Sequence, residues 1–121
     1  MLNVLLAEDN FYHQQLALQA LEGSGHHVTA VNNGEEALRA LSAGTFDVVV
    51  LDLLMPIMDG LEFIRRVRCM SGHNADVPIV VVTAYGVAQH MEYFRRHRVS
   101  SWLDKPYDAD ELIMRIEAIL N

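Results

Sequence analysis

A chain of 121 residues, 51% of them hydrophobic, carries enough apolar side chains for one core of ordinary domain size, so a single domain over residues 1–121 is expected, with no separate output domain. Its formal net charge of −7 disfavours generic attraction to nucleic acid or to an anionic membrane, and a basic partner is easier to accommodate. The single cysteine, Cys69, excludes an internal disulfide, fits a reducing cytoplasm, and on an apolar helix position reads as core packing.

In chain order, Asn3 to Ala7 is a short apolar run that reads as a strand; Met1 meets it with no basic segment between, so no signal peptide is expected. Polar Glu8-Asp9-Asn10 follows, then Leu16, Leu18 and Leu21 at roughly helical spacing. Gly23-Ser24-Gly25 stops that helix, His27 to Val31 reads as a second strand, and Asn33-Gly34 precedes a helix over Glu35 to Leu41. After its first residue, Asp47 to Leu51 is β-branched or leucine throughout, the pattern of a strand buried on both faces. Met55-Pro56 and Asp59-Gly60 mark a loop before a helix over Leu61 to Met70. Val77 to Val82 repeats the buried-strand pattern, and the uncharged run to Ala88 falls short of the ~20 residues that span a bilayer. A weaker helix over Val87 to Arg96, a short strand over Ser100 to Leu103 and a helix over Asp110 to Leu120 complete the chain.

Five strands alternating with five helices predict an α/β fold: a doubly wound, five-stranded parallel sheet of order 2-1-3-4-5, flavodoxin-like, with right-handed crossovers. In such a sheet ligands bind at the carboxyl ends of the strands, where the order switches between strands 1 and 3. Glu8, Asp9 and Asp52 end those two strands, Thr83 ends the fourth, and Lys105 follows the fifth. Lys105 is the only lysine; the other eight cations are arginines. Strand 5 lies two spacings from strand 3, ~9–10 Å, so a long flexible cation suits the reach to Asp52 where a hydroxyl suffices for Thr83.

Two carboxylates ~5 Å apart repel by roughly 3 kcal/mol at an effective dielectric of 20, and three acids make three such pairs. Relief must come from protonation, hydration, Lys105 or a bound cation. Hard oxygen ligands favour Mg²⁺, which also binds phosphate oxygens during transfer. Taken singly, each residue has a plain structural reading: Asp9 or Asn10 a helix N-cap, Asp52 a turn residue, Thr83 a strand end, Lys105-Pro106 a loop. Their joint occurrence at adjacent strand ends points to phosphoryl transfer.

Leu5-Leu6-Ala7-Glu8-Asp9-Asn10, Val50 to Pro56 with Asp59-Gly60, Thr83-Ala84 and Lys105-Pro106 together make the chain resemble, over its whole length, the receiver domain of two-component response regulators. The resemblance implies Asp52 as phosphoacceptor, with Thr83 and Lys105 contacting the phosphoryl oxygens. It implies Mg²⁺ held by Glu8, Asp9, Asp52 and the Leu54 carbonyl, and a frequent cis bond before Pro106. Trp102 occupies the aromatic switch position, where tyrosine or phenylalanine is more usual; an amphipathic anchor in an interface is its alternative role. Leu54 and Tyr85 stand at the rim, where rapidly dephosphorylating family members tend to carry polar side chains.

The implied function is a phosphoacceptor, not an enzyme acting on an outside substrate. It would take a phosphoryl group from a sensor histidine kinase or a histidine phosphotransfer protein in the cytoplasm. A surface of helix 4, strand 5 and helix 5 would then act on an effector or a linked output domain, with no direct contact to nucleic acid or membrane. Three other readings compete. An aspartyl-nucleophile phosphatase resembles Asp-x-Asp on the first strand, whereas Asp52 lies on the third and Leu54 replaces the second acid. A flavodoxin needs a neutral phosphate loop where this chain has two acids. A receiver-like module that is never phosphorylated would be expected to lack one of the residues present here. His13, His26, His27, His73, His90 and His97 show no ligand spacing and read as surface histidines. Arg65, Arg66 and Arg68 read as a solvated helix face, and Arg95-Arg96-His97-Arg98 as cations at a helix C-terminus.

Overall fold

The structure, a computed structural model, describes residues 1–84 and 86–119. Tyr85, and the expected end of the last helix at Leu120, lie outside them. Five strands, β1 (Asn3–Ala7), β2 (His27–Val31), β3 (Val48–Leu51), β4 (Ile79–Thr83) and β5 (Ser101–Asp104), form one parallel sheet in the order β2-β1-β3-β4-β5. Helices α1 (Phe11–Gly23), α2 (Gly34–Ala43), α3 (Gly60–Arg68), α4 (Met91–Arg96) and α5 (Ala109–Ile119) alternate with them.

Alternate residues along the central strands enter two separate cores, as period-two side chains must. Leu5, Val49, Leu51, Ile79 and Val81 pack with Phe63, Ile64 and Phe94 of α3 and α4. Val4, Leu6, Val48, Val50, Val80 and Val82 pack with Ala17 and Leu21 of α1 and Leu112 and Ile116 of α5. Both faces of β1, β3 and β4 are therefore buried, which is why those segments are apolar almost without interruption.

Boundaries depart from the sequence reading where a side chain or a proline intervenes. β3 begins at Val48; just before it Asp47 exchanges two bonds with Asn3, donating its N–H to Asn3 O at 2.8 Å and taking the Asn3 N–H on the side-chain Oδ2 at 2.7 Å where a strand pair would use the backbone carbonyl. β4 begins after Pro78, whose nitrogen has no hydrogen to offer a ladder. The expected helix over Val87 to Arg96 is a 3-10 turn, Val87–His90, followed by the six-residue α4.

Three expectations are corrected. Cys69 is exposed and caps the C-terminus of α3, so it packs in no core. Arg68 is not on a solvated face: it is half-buried and donates to the carbonyls of His97, Val77, Ala75 and Arg98 at 2.8–3.1 Å. It thereby ties the end of α3 to the turns that enter β4 and β5, whereas Arg65 and Arg66 pair with Glu62 at the surface. His26 has a side chain only 6% exposed, accepts the Leu2 N–H on Nδ1 at 3.2 Å and meets Glu117 at 3.2 Å, joining the start of β1 to α5. No helix of the described residues is long and apolar enough to cross a membrane.

Candidate functional site

The parallel ladder sets the acids side by side. Ala7 is registered with Leu51, and the ladder carries one residue further: the Glu8 N–H donates to Val31 O at 3.1 Å and the Asp52 N–H to Ala7 O at 3.0 Å. One carboxylate oxygen each from Glu8, Asp9 and Asp52 falls within a 4.8 Å span. Asn10 is the N-cap of α1, its Oδ1 accepting the His13 N–H at 3.0 Å, while its own N–H donates to Glu8 Oε2 at 3.2 Å. Asn10 thus caps α1, while its neighbours Glu8 and Asp9 lie in the acid cluster.

The β3–α3 loop carries Asp52 and is tightly built. The Leu54 N–H donates to Asp52 Oδ1 at 3.2 Å, and the Gly60 N–H to Leu53 O at 2.8 Å. Pro56, Ile57 and Met58 make a three-residue turn, with Met58 N to Pro56 O at 2.7 Å and Ile57 at φ 70. A β-branched residue at positive φ costs of order 1–3 kcal/mol, which the surrounding loop must hold in place.

Thr83 is fully buried at the end of β4, and its carbonyl accepts the Lys105 N–H at 2.9 Å. The Lys105-Pro106 bond is cis. From there the lysine side chain spans to strand 3 as its length suggests: Nζ lies 3.0 Å from Asp52 Oδ2 and 2.5 Å from Glu8 Oε1. A cavity of about 430 Å³ opens over these groups, lined by Asp9, Asp52, Leu54, Ala84, Lys105 and His13.

His13 was not singled out by the sequence. It stands on the first turn of α1, four residues after Asp9, and its Nδ1 is 2.8 Å from Lys105 Nζ. Asp9 precedes the N-cap of α1, so no helical spacing links it to His13, and the contact to Lys105 has no local signal in the sequence. Trp102, on β5, turns to α4 and stacks on Phe94 with centroids 5.9 Å apart. Trp102 is registered with Val81, and Thr83 lies two residues further along β4, so the two are on neighbouring strands on the same, α3–α4 face of the sheet. Leu54 is 56% exposed at the cavity edge; Tyr85 is outside the described residues.

Burial pushes the Glu8 carboxyl up from the usual 4.5 to about 7; the Lys105 hydrogen bond opposes this and the Asp52 charge adds to it. Burial, with Glu8 and Asp52 nearby, likewise pushes the Tyr107 phenol to about 12. The raised Glu8 value means that between pH 4.5 and about 7 the folded chain holds a proton that the unfolded chain releases. Stability should therefore fall as pH rises through that window, by up to roughly 1.4 kcal/mol per pH unit, and the loss is complete above it. Glu8→Gln is expected to remove this slope and to be the more stable protein at pH 8 by roughly 2 kcal/mol. Chemical denaturation of both proteins at pH 5 and pH 8 checks it; parallel pH profiles would show that Glu8 ionises without strain.

Fold and site together define a class: a doubly wound α/β protein with acids, a hydroxyl and a lysine gathered at the switch point of its sheet. The model of the response regulator receiver domain matches residues 4–117, and the chain belongs to that family, the receivers of two-component signalling. It is 32% identical over 120 residues to the response regulator receiver protein CpdR of Brucella abortus, covering 99% of this chain and 98% of that protein. It is also 32% identical to the transcriptional regulatory protein TcrA of Mycobacterium tuberculosis, of which it spans only 45%. Among solved structures, a putative response regulator from Chloroflexus aurantiacus superposes with TM-score 0.90 at 28% identity, covering 98% of this chain and 97% of that one. The receiver domain of sensor histidine kinase PA1611 from Pseudomonas aeruginosa, with a magnesium ion coordinated in its active site cleft, superposes with TM-score 0.87 at 27% identity, covering 97% and 95%.

Proposed function

We propose that the chain accepts a phosphoryl group on Asp52 from a phosphohistidine of a sensor kinase or phosphotransfer protein. The observation that carries this is the Asp52 carboxylate, at the floor of an open cavity, with Lys105 Nζ at 3.0 Å and two further acids beside it. A carboxylate oxygen of Asp52 attacks phosphorus, the phosphorus–nitrogen bond of the donor breaks, and its electron pair returns to the donor imidazole. Lys105 and the Thr83 hydroxyl serve as contacts for the phosphoryl oxygens. Nothing leaves for an outside substrate, so the chain acts as a phosphoacceptor that assists its own modification and not as a turnover enzyme.

The donor set fits Mg²⁺: oxygens from Glu8, Asp9 and Asp52 lie within 4.8 Å of one another, and the Leu54 carbonyl would complete the protein ligands. When bound, the ion neutralises charge on the transferring group. A protein donor is supported by the surface next to the cavity. Phe11, Tyr12 and Leu16 of α1 are 71%, 79% and 64% exposed and give an apolar patch beside the acceptor. The readout face is α4, β5 and α5, where Trp102 packs on Phe94. Its partner is a downstream effector or an output domain linked to the chain, in the cytoplasm, with no membrane or nucleic acid bound by this domain itself.

The test is acetyl phosphate or phosphoramidate with Mg²⁺, followed by intact mass. One phosphoryl group, labile to hydroxylamine, is expected; an unmodified mass under both donors would overturn the reading.

The lifetime of that state follows from the cavity edge. Hydrolysis needs a water in line with phosphorus, and Leu54 offers no group to orient one. Slow decay is expected, and Leu54→Asn should accelerate it by roughly tenfold. Decay of the phosphorylated form followed by mass settles it, and an unchanged or slower rate in the variant would show that this edge does not control water.

A further inference from the structure

We infer that His13 is a positioning residue for Lys105, holding the ammonium at the site through its Nδ1 lone pair when the two carboxylates are engaged elsewhere. This rests on the phosphoacceptor reading above and adds to it a residue outside the family's functional set named there.

The lysine ammonium has three hydrogens and no acceptor capacity. Among the described residues three acceptors surround it: Glu8 Oε1 at 2.5 Å, His13 Nδ1 at 2.8 Å and Asp52 Oδ2 at 3.0 Å. Since the ammonium can only donate, Nδ1 receives and the ring hydrogen sits on Nε2. The ring is placed by its own backbone, whose N–H is fixed to the Asn10 cap at 3.0 Å. It approaches from α1.

The three acceptors differ in their other duties. Glu8 and Asp52 are two of the three acids gathered in the metal cluster, and Asp52 is also the phosphoacceptor. With those oxygens committed to a divalent cation, Lys105 loses two anchors and gains a cation as neighbour. His13 is the remaining anchor: it lies outside the acid cluster and presents a lone pair, not a charge. A lysine side chain that is held has already given up its rotamer freedom, so its contact to a phosphoryl oxygen forms at lower entropic cost. Without His13 the stem, the most flexible in the site, is free to swing toward the open cavity.

The test exploits the single lysine, because selective ¹⁵N labelling of lysine reports one ammonium group, that of Lys105. Two substitutions separate acceptor from bulk. His13→Asn puts an amide oxygen at the same bond count from the backbone as Nδ1, and His13→Leu puts a methyl there. The side chain of His13 is 45% exposed, so both variants should fold, with melting temperatures close to the parent's. With Mg²⁺ and no phosphodonor, the parent and His13→Asn should show a sharp, slowly exchanging ammonium signal, and His13→Leu a broadened one. With phosphoramidate, His13→Leu should be phosphorylated about tenfold more slowly, and His13→Asn within about twofold of the parent, the usual weight of a hydrogen bond to a charged group. An ammonium signal in His13→Leu identical to the parent's overturns the inference, as does an asparagine variant that fails like leucine. If the parent itself takes up no phosphoryl group, the phosphoacceptor reading falls, while the ammonium signals still decide whether His13 holds Lys105.

Discussion

Asp52→Asn should reduce phosphoryl uptake from one group per chain to none while leaving the fold intact. The amide keeps an oxygen at Oδ1 to accept the Leu54 N–H, now at 3.2 Å, so the loop retains its internal support. What it loses is the anionic nucleophile and one ligand of the acid cluster. It also removes a like charge that raises the Glu8 carboxyl, so the folded state should be no less stable above pH 7 and somewhat more so. Intact mass after acetyl phosphate and Mg²⁺, together with thermal melts, reads both effects. Full modification of the variant would move the acceptor to another residue.

Gly60→Ala should be strongly destabilising for the addition of a single methyl. A Cβ there would stand 2.7 Å from both Asp52 O and Leu53 Cα, and neither backbone atom can rotate away. Relief requires moving the start of α3 off the β3 end, which breaks the Gly60 N–H bond to Leu53 O and shifts the carboxylate that Lys105 reaches. The expected cost is roughly 2–4 kcal/mol, above an ordinary overpacking, with phosphorylation slowed in the fraction that still folds. Gly23→Ala is the matched control: nothing lies within 4 Å of its Cβ at the end of α1, and alanine is the better helix former. It should be neutral or stabilising by up to roughly 1 kcal/mol. Denaturant midpoints for the two variants compare them directly; equal midpoints would mean that the β3–α3 loop yields easily and that its close packing does not position Asp52.

Much of the site was legible because its residues sit at positions that local pattern can number. Apolar runs end at Ala7, Leu51, Val82 and Leu103, and residues one or two positions past those ends are the ones that meet. The failures have a common form. Cys69 sits within an apolar helical pattern yet is exposed, because α3 stops one residue earlier at Arg68. Arg68 shares its helix with two solvated arginines and differs from them only in pointing at four carbonyls that belong to other elements. His26 and His13 carry no spacing signal for their partners, which are 91 and 92 residues distant.

The sequence by itself determined the fold class, the strand order and the residue types at the switch point, since periodicity and strand-end chemistry are properties of neighbours along the chain. Only the tertiary structure decided how those groups behave. That Glu8 is buried beside Asp52 and holds its proton to about 7 depends on desolvation and on distances between charges, and both are set by packing. The same holds for Lys105, whose reach could be argued from strand spacing. Its division among Glu8, Asp52 and His13 arises only when β1, β3 and α1 bring three acceptors to one ammonium. Hydrogen bonds and ion pairs act over a few ångströms, so they are specified by the folded arrangement and not by separation in sequence.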